Sequence, residues 1–574
     1  MYDFAATKHF SDIFEHPIAE QIWRSKYQLK TELGEVEPTV RDTWARVASA
    51  LAQAERPEEQ SRIGALFADA MEDFKLLPAG RILAGAGTPR NVSLSNTFVM
   101  KTLPDSVAGI MDVIKEAALT MQMGGGLGFD FSTIRPQGTL VRGLDCPAAG
   151  PLAVMDICDA VCKMLVSGTG RGAMMATMRV DHPDIEAFVK AKSDPTRMRN
   201  FNLSVMIPDG FMAAVHADQD WELAWDGVPV RCIKAQELWK TIMQQNYDAA
   251  EPGVLFIDRI NAANPLNHIE QIAATNSCAE QPLPPNGTCP LSSINLARLV
   301  VSPFTADARL DLAELRRLTG VAVRMLDNSL DVSRFAVVEQ RVEAQTKRRI
   351  GIGVTGVADA LIMLGVRYGS EASEVLVSDW MRALSNAAYH ASAQLAQARG
   401  AFACYNATQH LTKPCIQALD VEVQQAIAQH GLRNATLTTI APTGTTSMFG
   451  GNVSSGIEPI FATFYKRKIT MPDGSKSETV IEDYAVWLFH QLFGAEATLT
   501  EAFVTVADLS PDDHLRIQAA AQKWVDSGIS KTINCAADIG FPEFQNIYRQ
   551  AFERGCKGCT TYRPNDVTGS VLSL

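Results

Sequence analysis

Apolar residues recur at helical spacing in the N-terminal part of the chain. Ile18 and Ile22 lie four positions apart with Trp23 beside them, and residues 39–70 are rich in Ala, Glu and Arg. Apolar residues at this spacing line one face of an α-helix, and Ala, Glu and Arg favour helix formation. The pattern therefore predicts a helical segment over residues 1–80.

Between residues 81 and 459 the pattern changes to short apolar runs bounded by Gly, Pro and Asn, which alternate with helical stretches. Residues 202–207, 253–257 and 437–440 are three of these runs, and we predict that they are strands. Strands that alternate with helices favour a largely parallel sheet with crossover connections. An open α/β sheet and an α/β barrel both satisfy this pattern.

Helical periodicity returns in residues 478–488 and 511–524, and residues 555–574 form a tail rich in Gly, Thr and Pro. The chain shows no internal repeat and no low-complexity tract. We therefore expect two parts, an N-terminal helical segment (residues 1–80) and an α/β part that ends in the tail (residues 81–574).

Composition excludes several functional classes. The chain has 574 residues, 47% of them hydrophobic, and a formal net charge of −12. An acidic balance argues against a protein that coats nucleic acid, although it allows pockets for single nucleotides. Residues 1–34 lack the apolar core of a signal peptide, and the apolar stretch 350–366 is interrupted by Asp359 and is too short to span a bilayer. We expect a cytoplasmic protein without a membrane partner.

Three glycine-rich stretches are candidate ligand loops. Residues 124–129 lack the Gly-Lys-Ser/Thr of a Walker loop and follow no clear strand. Residues 167–172 form a loop with one guanidinium, Arg171. Residues 442–447 follow the apolar run 437–440, so their backbone N–H groups and hydroxyls can converge on a phosphate without a lysine. An ordinary turn is the alternative for each stretch, and it is favoured for the first two.

The most informative segment surrounds Cys278. Asn276, Cys278 and Glu280 alternate, which in an extended loop places the three side chains on one face. The segment has no His and no nearby Cys-x-x-Cys pair, which excludes a metal site, and no partner His indicates a cysteine protease. The eleven cysteines of the chain are expected to be thiols. These residues alone favour a buried structural cysteine over a reactive one, and both remain open.

Residues 274–296 also resemble the finger loop of the ribonucleotide reductase catalytic subunit, in which Asn-x-Cys-x-Glu carries the radical thiol. The resemblance covers nearly the whole chain, with the motifs in the family's order. The other matching segments are residues 77–83, 124–135, 171–185, 202–205, 349–361, 442–447 and 530–534. The resemblance implies a ten-stranded α/β barrel with the Cys278 loop threaded through its centre.

The C-terminal motif narrows the resemblance to class II, the adenosylcobalamin-dependent enzymes. Class I subunits carry paired tyrosines in this region, whereas residues 555–563 have one tyrosine, and the glycyl-radical motif of class III is not found. Residues 18–23 also look like class II. Asp512, Asp513 and His514 lack the glycine of the base-off cobalamin motif, which is compatible with class II because its members bind the cofactor without a protein histidine ligand.

The resemblance implies a role for each residue of the finger loop. A radical derived from adenosylcobalamin takes the hydrogen atom of Cys278, and the resulting thiyl abstracts the ribose 3′-hydrogen. Glu280 is suited to act as general base on the 3′-hydroxyl, and Asn276 would hold the sugar hydroxyls. Cys289 matches one of the family's two reducing cysteines. The implied reaction converts a ribonucleoside di- or triphosphate to its 2′-deoxy form.

Other positions match the family's substrate and effector sites. Residues implied to bind the substrate are Ser95, Asn96, Gly125, Pro442, Thr443, Gly444, Thr445, Thr446 and Ser447. Residues implied to hold a (deoxy)nucleoside triphosphate effector, or to report it to the substrate, are Asp105, Arg142, Gly170 and Arg171. A surface ion pair for Asp105 and a solvated side chain for Arg142 are equal alternatives. The resemblance also implies a homodimer and a thiol reductant such as thioredoxin.

One departure from the family pattern concerns the reducing cysteines. The second cysteine is expected in Ser-x-x-Asn-Cys-Phe-Val, and residues 93–99 read Ser-Leu-Ser-Asn-Thr-Phe-Val. A threonine at position 97 cannot form a disulfide. Another thiol substitutes, an external reductant such as formate or a small thiol does, or the protein runs a different reaction or only binds nucleotides. The candidate thiols are Cys146, Cys158, Cys162 and a tail redox pair, Cys556 with Cys559.

Overall fold

The computed structural model describes residues 13–31, 34–141, 143–167, 170–194, 196–470 and 476–565. Its α-helices are α1 (Pro17–Ile22), α2 (Val40–Ala52), α3 (Pro57–Met71), α4 (Gly80–Gly85), α5 (Val107–Gln122), α6 (Pro151–Met164), α7 (Ile185–Val189), α8 (Asp209–His216), α9 (Ala235–Ala249), α10 (Ile257–Ala263), α11 (Leu312–Val332), α12 (Val338–Lys347), α13 (Val357–Met363), α14 (Glu371–Arg399), α15 (Ala407–His410), α16 (Pro414–Gln417), α17 (Val421–His430), α18 (Thr446–Phe449), α19 (Tyr484–Phe493), α20 (Pro511–Gln522) and α21 (Phe541–Glu553). In this part of the chain no helix is both long enough and apolar enough to cross a bilayer.

The strands are β1 (Lys30–Thr31), β2 (Gly34–Glu35), β3 (Leu76–Pro78), β4 (Thr97–Val99), β5 (Gly126–Asp130), β6 (Leu140–Val141), β7 (Cys146–Pro147), β8 (Val166–Ser167), β9 (Gly170–Arg171), β10 (Met174–Arg179), β11 (Phe201–Ile207), β12 (Asp220–Trp225), β13 (Val228–Lys234), β14 (Gly253–Phe256), β15 (Ala274–Thr275), β16 (Pro282–Leu283), β17 (Leu291–Asn295), β18 (Val300–Val301), β19 (Arg309–Leu310), β20 (Gly351–Thr355), β21 (Phe464–Thr470), β22 (Lys476–Glu482), β23 (Thr532–Asn534) and β24 (Gly558–Tyr562).

The N-terminal part is helical, as its periodicity predicts. Helix α2 begins where the Thr39 N–H donates to the Asp42 carboxylate (2.9 Å), which satisfies a backbone donor at the helix start. Helix α3 begins at Pro57, whose fixed φ and missing N–H suit the first turn. The apolar faces of both helices, with Trp44 and Phe67 buried, pack on each other and on α11. This packing joins the N-terminal helices to the α/β part.

A seven-stranded sheet forms one side of the α/β part, in the order β23-β24-β14-β11-β10-β5-β4. Neighbours from β4 to β14 pair in parallel, and β24 pairs antiparallel with β14. The predicted strands at residues 202–207 and 253–257 are confirmed as β11 and β14. Almost every residue of β11 is buried, which is typical of a parallel strand covered on both faces.

A second sheet has three strands in the order β20-β17-β3, so the two sheets together have ten strands. Isolated parallel bridges join Ile352 to Thr438 and Ile440 to Ile529, which links β20 to the β23 edge of the larger sheet. Within the described ranges the ladder hydrogen bonds do not close into a continuous ring.

The predicted strand at residues 437–440 is an extended segment with isolated bridges and not a regular strand. The backbone N–H groups of Leu437 and Thr438 donate to the Asp526 carboxylate (2.7 and 3.0 Å). Because a side chain takes these donors, they cannot pair with a neighbouring strand.

The loop that carries Cys278 crosses the space between the two sheets. Strands β15 and β16 pair as a hairpin whose connection is residues 276–281. Strand β15 lies directly on β5, because a Cβ on Gly128 would come within 1.8 Å of the Thr275 carbonyl oxygen. Only glycine allows this approach, and it positions the loop at the centre of the fold.

The predicted helix over residues 478–488 is wrong in its first half. Residues up to Glu482 form β22, which pairs antiparallel with β21, and α19 begins at Tyr484 after the capping carboxylate of Asp483. Residues 479–481 are Thr, Val and Ile, which favour a strand. The periodic pattern was that of α19 alone.

The predicted helix over residues 511–524 is confirmed as α20. It begins with a capping box formed by Ser510 and Asp513. The acidic residues Asp512 and Asp513 therefore mark a helix start. His514 is buried in the first turn, and its Nδ1 accepts a hydrogen bond from Lys531 (2.8 Å).

Candidate active site

The finger loop (residues 276–281) is closed by hydrogen bonds of its own. The Asn276 N–H donates to the Gln281 carbonyl (3.1 Å), and the Gln281 N–H donates to the Asn276 side-chain oxygen (2.9 Å). Ala279 adopts φ 65°, a left-handed conformation that turns the chain. A tight turn, and not the alternation of an extended loop, therefore brings Asn276, Cys278 and Glu280 together.

Cys278 lies where two cavities meet. The smaller cavity has a volume of about 330 Å³ and is bounded by the finger loop, the start of β5 and residues 441–446. The larger cavity, of about 640 Å³, extends from the finger loop toward β11, β14 and β24. Both volumes are typical of small-molecule and cofactor sites. Ser277, Cys278 and Gly444 line both cavities.

The thiol of Cys278 has accessible surface, but that surface faces the cavities and the group is surrounded by protein. Burial, followed by the nearby Glu280 carboxylate, raises the pKa of Cys278 to about 12. The thiol therefore keeps its hydrogen at neutral pH. This suits hydrogen-atom transfer better than nucleophilic attack, which needs the thiolate.

Glu280 is buried and lines the smaller cavity. Burial raises the pKa of its carboxyl to about 7, while a hydrogen bond from the Asn276 side chain acts in the opposite direction. A carboxyl with a pKa near the working pH suits general base catalysis. The Glu280 carbonyl accepts from the Thr439 hydroxyl (2.7 Å) and the Gly528 N–H (2.9 Å), which ties the finger loop to two other segments of the chain.

Three buried polar atoms that belong to residues of the smaller cavity have no hydrogen-bond partner among the described residues. They are Glu280 Oε2, Asn96 Oδ1 and Ser292 Oγ. Buried polar atoms without partners are costly and indicate that a polar ligand or water completes them. A carboxylate, an amide and a hydroxyl around one space suit the hydroxyls of a sugar.

Residues 442–446 form one wall of the smaller cavity. The Thr443 hydroxyl accepts from the Gly456 N–H (2.8 Å) and hydrogen bonds with Thr355 Oγ1 (2.9 Å), which holds the loop against β20. Ser447 instead lines the larger cavity. Of the predicted loop 442–447, the structure therefore brings residues 442–446 to the same cavity as the finger loop.

Thr97 lies directly opposite Cys289. The antiparallel bridge between Phe98 and Thr288 places the two residues face to face, and the Thr97 hydroxyl donates to the Cys289 carbonyl (2.6 Å). Both side chains are fully buried, and burial raises the pKa of the Cys289 thiol. The position that would carry a second reducing thiol holds a hydroxyl.

Comparison with known proteins identifies the family. A family model described as "Ribonucleotide reductase, barrel domain" matches residues 95–562, and one described as "Ribonucleotide reductase, all-alpha domain" matches residues 14–91. The chain belongs to the ribonucleotide reductase family. The barrel model covers the seven-stranded sheet and the finger loop, and the all-alpha model covers helices α1–α4.

Individual relatives agree with this family. The chain is similar to the "Vitamin B12-dependent ribonucleoside-diphosphate reductase" of Mycobacterium tuberculosis, at 34% identity over 97% of this chain and 80% of the relative. It is similar to the protein of the same name from Thermoplasma acidophilum, at 33% identity over 88% of this chain and 66% of the relative. The "Ribonucleoside-diphosphate reductase subunit alpha" of Chlamydia muridarum is 26% identical over 90% of this chain and 56% of the relative.

The remaining substrate residues implied by the family resemblance divide into two groups. Asn96 and Gly125 line the smaller cavity. Ser95 does not line it, because its side chain is buried in the protein and its N–H donates to Ser93 Oγ (3.2 Å). Ser95, which the resemblance implies to bind the substrate, is therefore not part of the cavity wall.

Among the residues of the smaller cavity that the sequence did not single out are Lys26, Tyr27 and Arg81. A Cβ on Gly124, where φ is 95°, would lie 2.4 Å from Arg81 Cζ, so glycine lets the guanidinium lie against the backbone. Burial lowers the pKa of Arg81. The signal was present in Leu-Pro-Ala-Gly-Arg (residues 77–81), which served only as a family match.

The effector residues implied by the resemblance are only partly described. Asp105 forms an ion pair with Arg135 (2.7 Å) and also accepts its N–H (3.1 Å). Arg142 lies outside the described residues. Gly170 and Arg171 form β9, which pairs antiparallel with β8, and residues 168–169 between these strands lie outside the described residues.

The predicted tail begins inside the fold. Cys559 lies in β24 of the seven-stranded sheet, with Cys556 just before it, and both thiols are buried. Burial raises the pKa of Cys556 to about 12, and Cys559 lines the larger cavity. Of the predicted tail (residues 555–574), residues 566–574 lie outside the described residues.

The other candidate thiols lie away from both cavities. Cys158 and Cys162 are one turn apart on α6, and both are buried, as expected for helical packing. Cys146 is exposed on the β6–β7 hairpin. None of the three lines the smaller or the larger cavity.

Proposed function

We propose that this chain is a class II ribonucleotide reductase, which reduces ribonucleotides to 2′-deoxyribonucleotides by a thiyl radical on Cys278 with adenosylcobalamin as cofactor. The observation that carries the proposal is the position of the Cys278 thiol, which faces one cavity suited to a sugar and a second, larger cavity behind it. Radical chemistry of this kind needs a hydrogen donor between the radical source and the substrate. The names of the relatives from M. tuberculosis and T. acidophilum support the cofactor.

The residues of the larger cavity fit the cofactor. Its wall includes the apolar side chains of Met175, Val254 and Phe461 and the thiol of Cys278. Gln518 Oε1 is buried without a hydrogen-bond partner among the described residues, so it can accept from an amide of the ligand. His514 does not line the cavity. When bound, adenosylcobalamin supplies a radical that takes the hydrogen atom of the Cys278 thiol.

The finger loop would then perform the chemistry on the substrate. The Cys278 thiyl abstracts the 3′-hydrogen, and Glu280 takes the proton of the 3′-hydroxyl, which lowers the barrier to loss of the 2′-hydroxyl as water. The Asn276 side-chain oxygen is used inside the loop. Its amide N–H groups hold Glu280 and can reach a sugar hydroxyl. Asn276 therefore acts both as a positioning residue and as a substrate contact.

The wall of residues 442–446 would bind the substrate phosphates, and Arg81 would add a positive charge to that site. The change Arg81→Gln should raise the dissociation constant of a ribonucleoside diphosphate by about 10- to 100-fold, because a charged hydrogen bond is lost. Binding of the unphosphorylated nucleoside should stay unchanged. Isothermal titration calorimetry with both ligands measures this, and Arg62→Gln, at an exposed arginine, is the control. An equal loss for nucleoside and diphosphate would place Arg81 at the sugar or base.

The threonine at position 97 leaves the electron source to be explained. Removal of the 2′-hydroxyl as water consumes two electrons and two protons, and Cys289 alone cannot form an intramolecular disulfide with Thr97. We propose that an external reductant supplies the missing equivalents, either formate or a thiol, such as a small thiol or thioredoxin. A radical enzyme with a different reaction, or a protein that only binds nucleotides, remains the competing function.

The change Thr97→Cys should restore an internal reductant. Residues paired across an antiparallel bridge have Cα atoms about 5.5 Å apart, which is within the range for a disulfide. The pre-reduced variant should form about one deoxynucleotide per chain without added reductant, with a disulfide between positions 97 and 289 detected by mass spectrometry. The unchanged protein should form none under these conditions. One product per unchanged chain would instead show that another cysteine of the chain substitutes.

We also propose a homodimer formed by α5 and α6, at which an effector nucleotide is held near Asp105 and Arg142. Val107 and Met111, one turn apart on α5, are exposed, as are Leu119 two turns further along the helix and Ile157 and Met164 on α6. An exposed apolar face of this kind marks an interface. A second copy offers the same face, as two-fold symmetry requires.

The change Met111→Glu should weaken this dimer at least about 100-fold, because it would bury an unpaired charge. Sedimentation velocity measures the fraction of dimer as protein concentration is varied. Val421→Glu on α17, an exposed apolar residue of a different surface, is the matched control. A dimer that persists in Met111→Glu at every concentration would contradict the proposed interface.

The direct test of the function is an assay of deoxynucleotide formation from each ribonucleoside diphosphate and triphosphate. The assay contains adenosylcobalamin, nucleotide effectors and, in separate reactions, dithiothreitol or formate. We expect product that requires the cofactor. Absence of product with every reductant, while nucleotides still bind, would favour the competing function.

A cytoplasmic location is proposed because all eleven cysteines are thiols.

A further inference from the structure

Lys557 carries a buried ammonium group that the reaction as described does not use. Its Nζ donates to the carbonyl oxygens of Val525 (3.1 Å), Asp526 (2.5 Å) and Ser527 (2.9 Å). An ammonium has three N–H donors and no acceptor, so all three protons are used. The backbone of Lys557 is fixed as well, because its carbonyl accepts from the Phe256 N–H (2.9 Å) at the end of β14.

The segment that Lys557 holds continues directly to the finger loop. The next residue, Gly528, donates its N–H to the Glu280 carbonyl (2.9 Å), and its own carbonyl accepts from the Thr439 hydroxyl (3.1 Å). The Thr439 hydroxyl has a single proton, which is shared between this carbonyl and the closer Glu280 carbonyl (2.7 Å). A Cβ on Gly528 would lie 2.7 Å from the Ala279 carbonyl oxygen, so the segment lies directly against the loop.

Lys557 also faces the larger cavity, which Gly528, Ala279 and Cys278 line as well. The lysine therefore lies at the junction of the seven-stranded sheet, the cavity and the support of the finger loop.

The Lys557 ammonium binds all three carbonyls at once. The Gln522 side-chain amide also donates to the carbonyls of Val525 (3.1 Å) and Ser527 (3.3 Å). Within the residues that the structure describes, the Asp526 carbonyl accepts from Lys557 alone. Loss of the ammonium therefore leaves one buried carbonyl without a donor and the other two with a single neutral donor group.

We propose that Lys557 is a positioning residue for the finger loop: its ammonium clamps residues 525–527, and through Gly528 it fixes Glu280 and Cys278 between the two cavities. This inference rests on the proposed function only in its kinetic consequence. The clamp itself is a property of the protein without ligands.

Protonation of Lys557 controls this clamp. Burial lowers the pKa of Lys557 to about 8, and the groups that face it are Asp526 and the Cys415 thiol, both of which act to raise it. A neutral amine has only two N–H donors and a lone pair, so it cannot satisfy three carbonyls. The clamp is therefore complete below about pH 8 and loosens as the pH rises through this value. Enzymatic activity should fall over the same pH range.

Hydrogen exchange measured by mass spectrometry tests the clamp without cofactor or turnover. The variants are Lys557→Met, which removes the ammonium, and Lys557→Arg, which keeps a positive charge at every pH used. Lys523→Met, at an exposed lysine near the end of α20, is the matched control. A fourth variant, Gly528→Ala, displaces the same support without a change at Lys557.

In Lys557→Met we expect the protection factors of peptides covering residues 276–281 and 525–528 to fall roughly tenfold or more, with β10 and β11 unchanged. Gly528→Ala should give the same localised loss. In the unchanged protein the protection of these two peptides should fall between about pH 7 and pH 9.5, and in Lys557→Arg it should not. The alkaline limb of the kcat profile should disappear in Lys557→Arg, with KM little changed.

Unchanged protection of residues 276–281 in Lys557→Met would overturn the proposal, as would a loss spread evenly over the whole chain. A pH dependence of protection that persists in Lys557→Arg would also overturn it. Because hydrogen exchange is measured without turnover, its result can be interpreted even if the protein does not reduce ribonucleotides. The two proposals can therefore fail separately.

Discussion

The changes Cys278→Ala and Cys278→Ser should each reduce deoxynucleotide formation below detection. The Cys278 thiol faces both cavities and keeps its hydrogen, because its pKa is raised to about 12. Alanine has no hydrogen atom that a radical readily removes, and the O–H bond of serine is too strong to give one up. No other cysteine of the described residues lines the smaller cavity. Product is measured by chromatography of the nucleosides after turnover.

Nucleotide binding provides the control for this prediction. Both variants should bind a ribonucleoside diphosphate with a dissociation constant within about threefold of the unchanged value, because Cys278 supplies none of the phosphate contacts. Cys232→Ala, which removes an exposed thiol on β13, should keep full activity. Product from Cys278→Ala would exclude a thiyl radical at this residue. Loss of binding together with activity would instead assign Cys278 a structural role.

The change Glu280→Gln should lower kcat by about 10²- to 10⁴-fold, the usual contribution of a general base. Glu280 must be ionised to accept the proton of the 3′-hydroxyl, and its pKa is raised to about 7 by burial. Activity of the unchanged protein should therefore rise with pH through about 7, and the residual activity of Glu280→Gln should lack this limb. Because Lys557, whose pKa is about 8, loses its proton at higher pH, activity should fall again there. The pH profile of kcat should therefore be bell-shaped. Rates measured between about pH 5.5 and pH 9.5 test this.

Stability gives an independent check on Glu280. The pKa of the Glu280 carboxyl is 4.5 in the unfolded chain and about 7 in the folded protein. The protonated carboxyl therefore stabilises the folded state fully below about pH 4.5. This contribution to the free energy of unfolding is lost as the pH rises through about 7. Glu280→Gln should therefore unfold at a higher temperature than the unchanged protein at pH 8. The difference should shrink toward zero at about pH 4.5. A midpoint difference that is the same at both pH values would show that Glu280 does not titrate in this range.

Much of the architecture was predictable from local pattern. Helices α2, α3 and α20 lie in stretches where apolar spacing predicts helix, because a helix satisfies its own backbone hydrogen bonds. Strands β11 and β14 follow from short buried runs. The helix predicted over residues 478–488 was wrong in its first half, because the β-branched residues 479–481 belong to β22, which pairs with the neighbouring strand β21.

The sequence by itself determined which groups can act, because the chemistry of a side chain does not depend on the fold. The thiol of Cys278, the carboxyl of Glu280 and the hydroxyl at position 97 could all be identified by their order in the chain. Motif order also determined the family. The threonine at position 97 departs from the family's motif, and that departure is visible in the residues themselves.

Only the tertiary structure decided where these groups meet and how they titrate. Residues 81, 280 and 443 are far apart in sequence, and they line one cavity because two sheets enclose the finger loop. The raised pKa of Glu280 comes from burial by those sheets, and the clamp of Lys557 on residues 525–527 joins segments about thirty positions apart. Desolvation and long-range hydrogen bonds depend on distances between segments, which the order of residues alone does not contain.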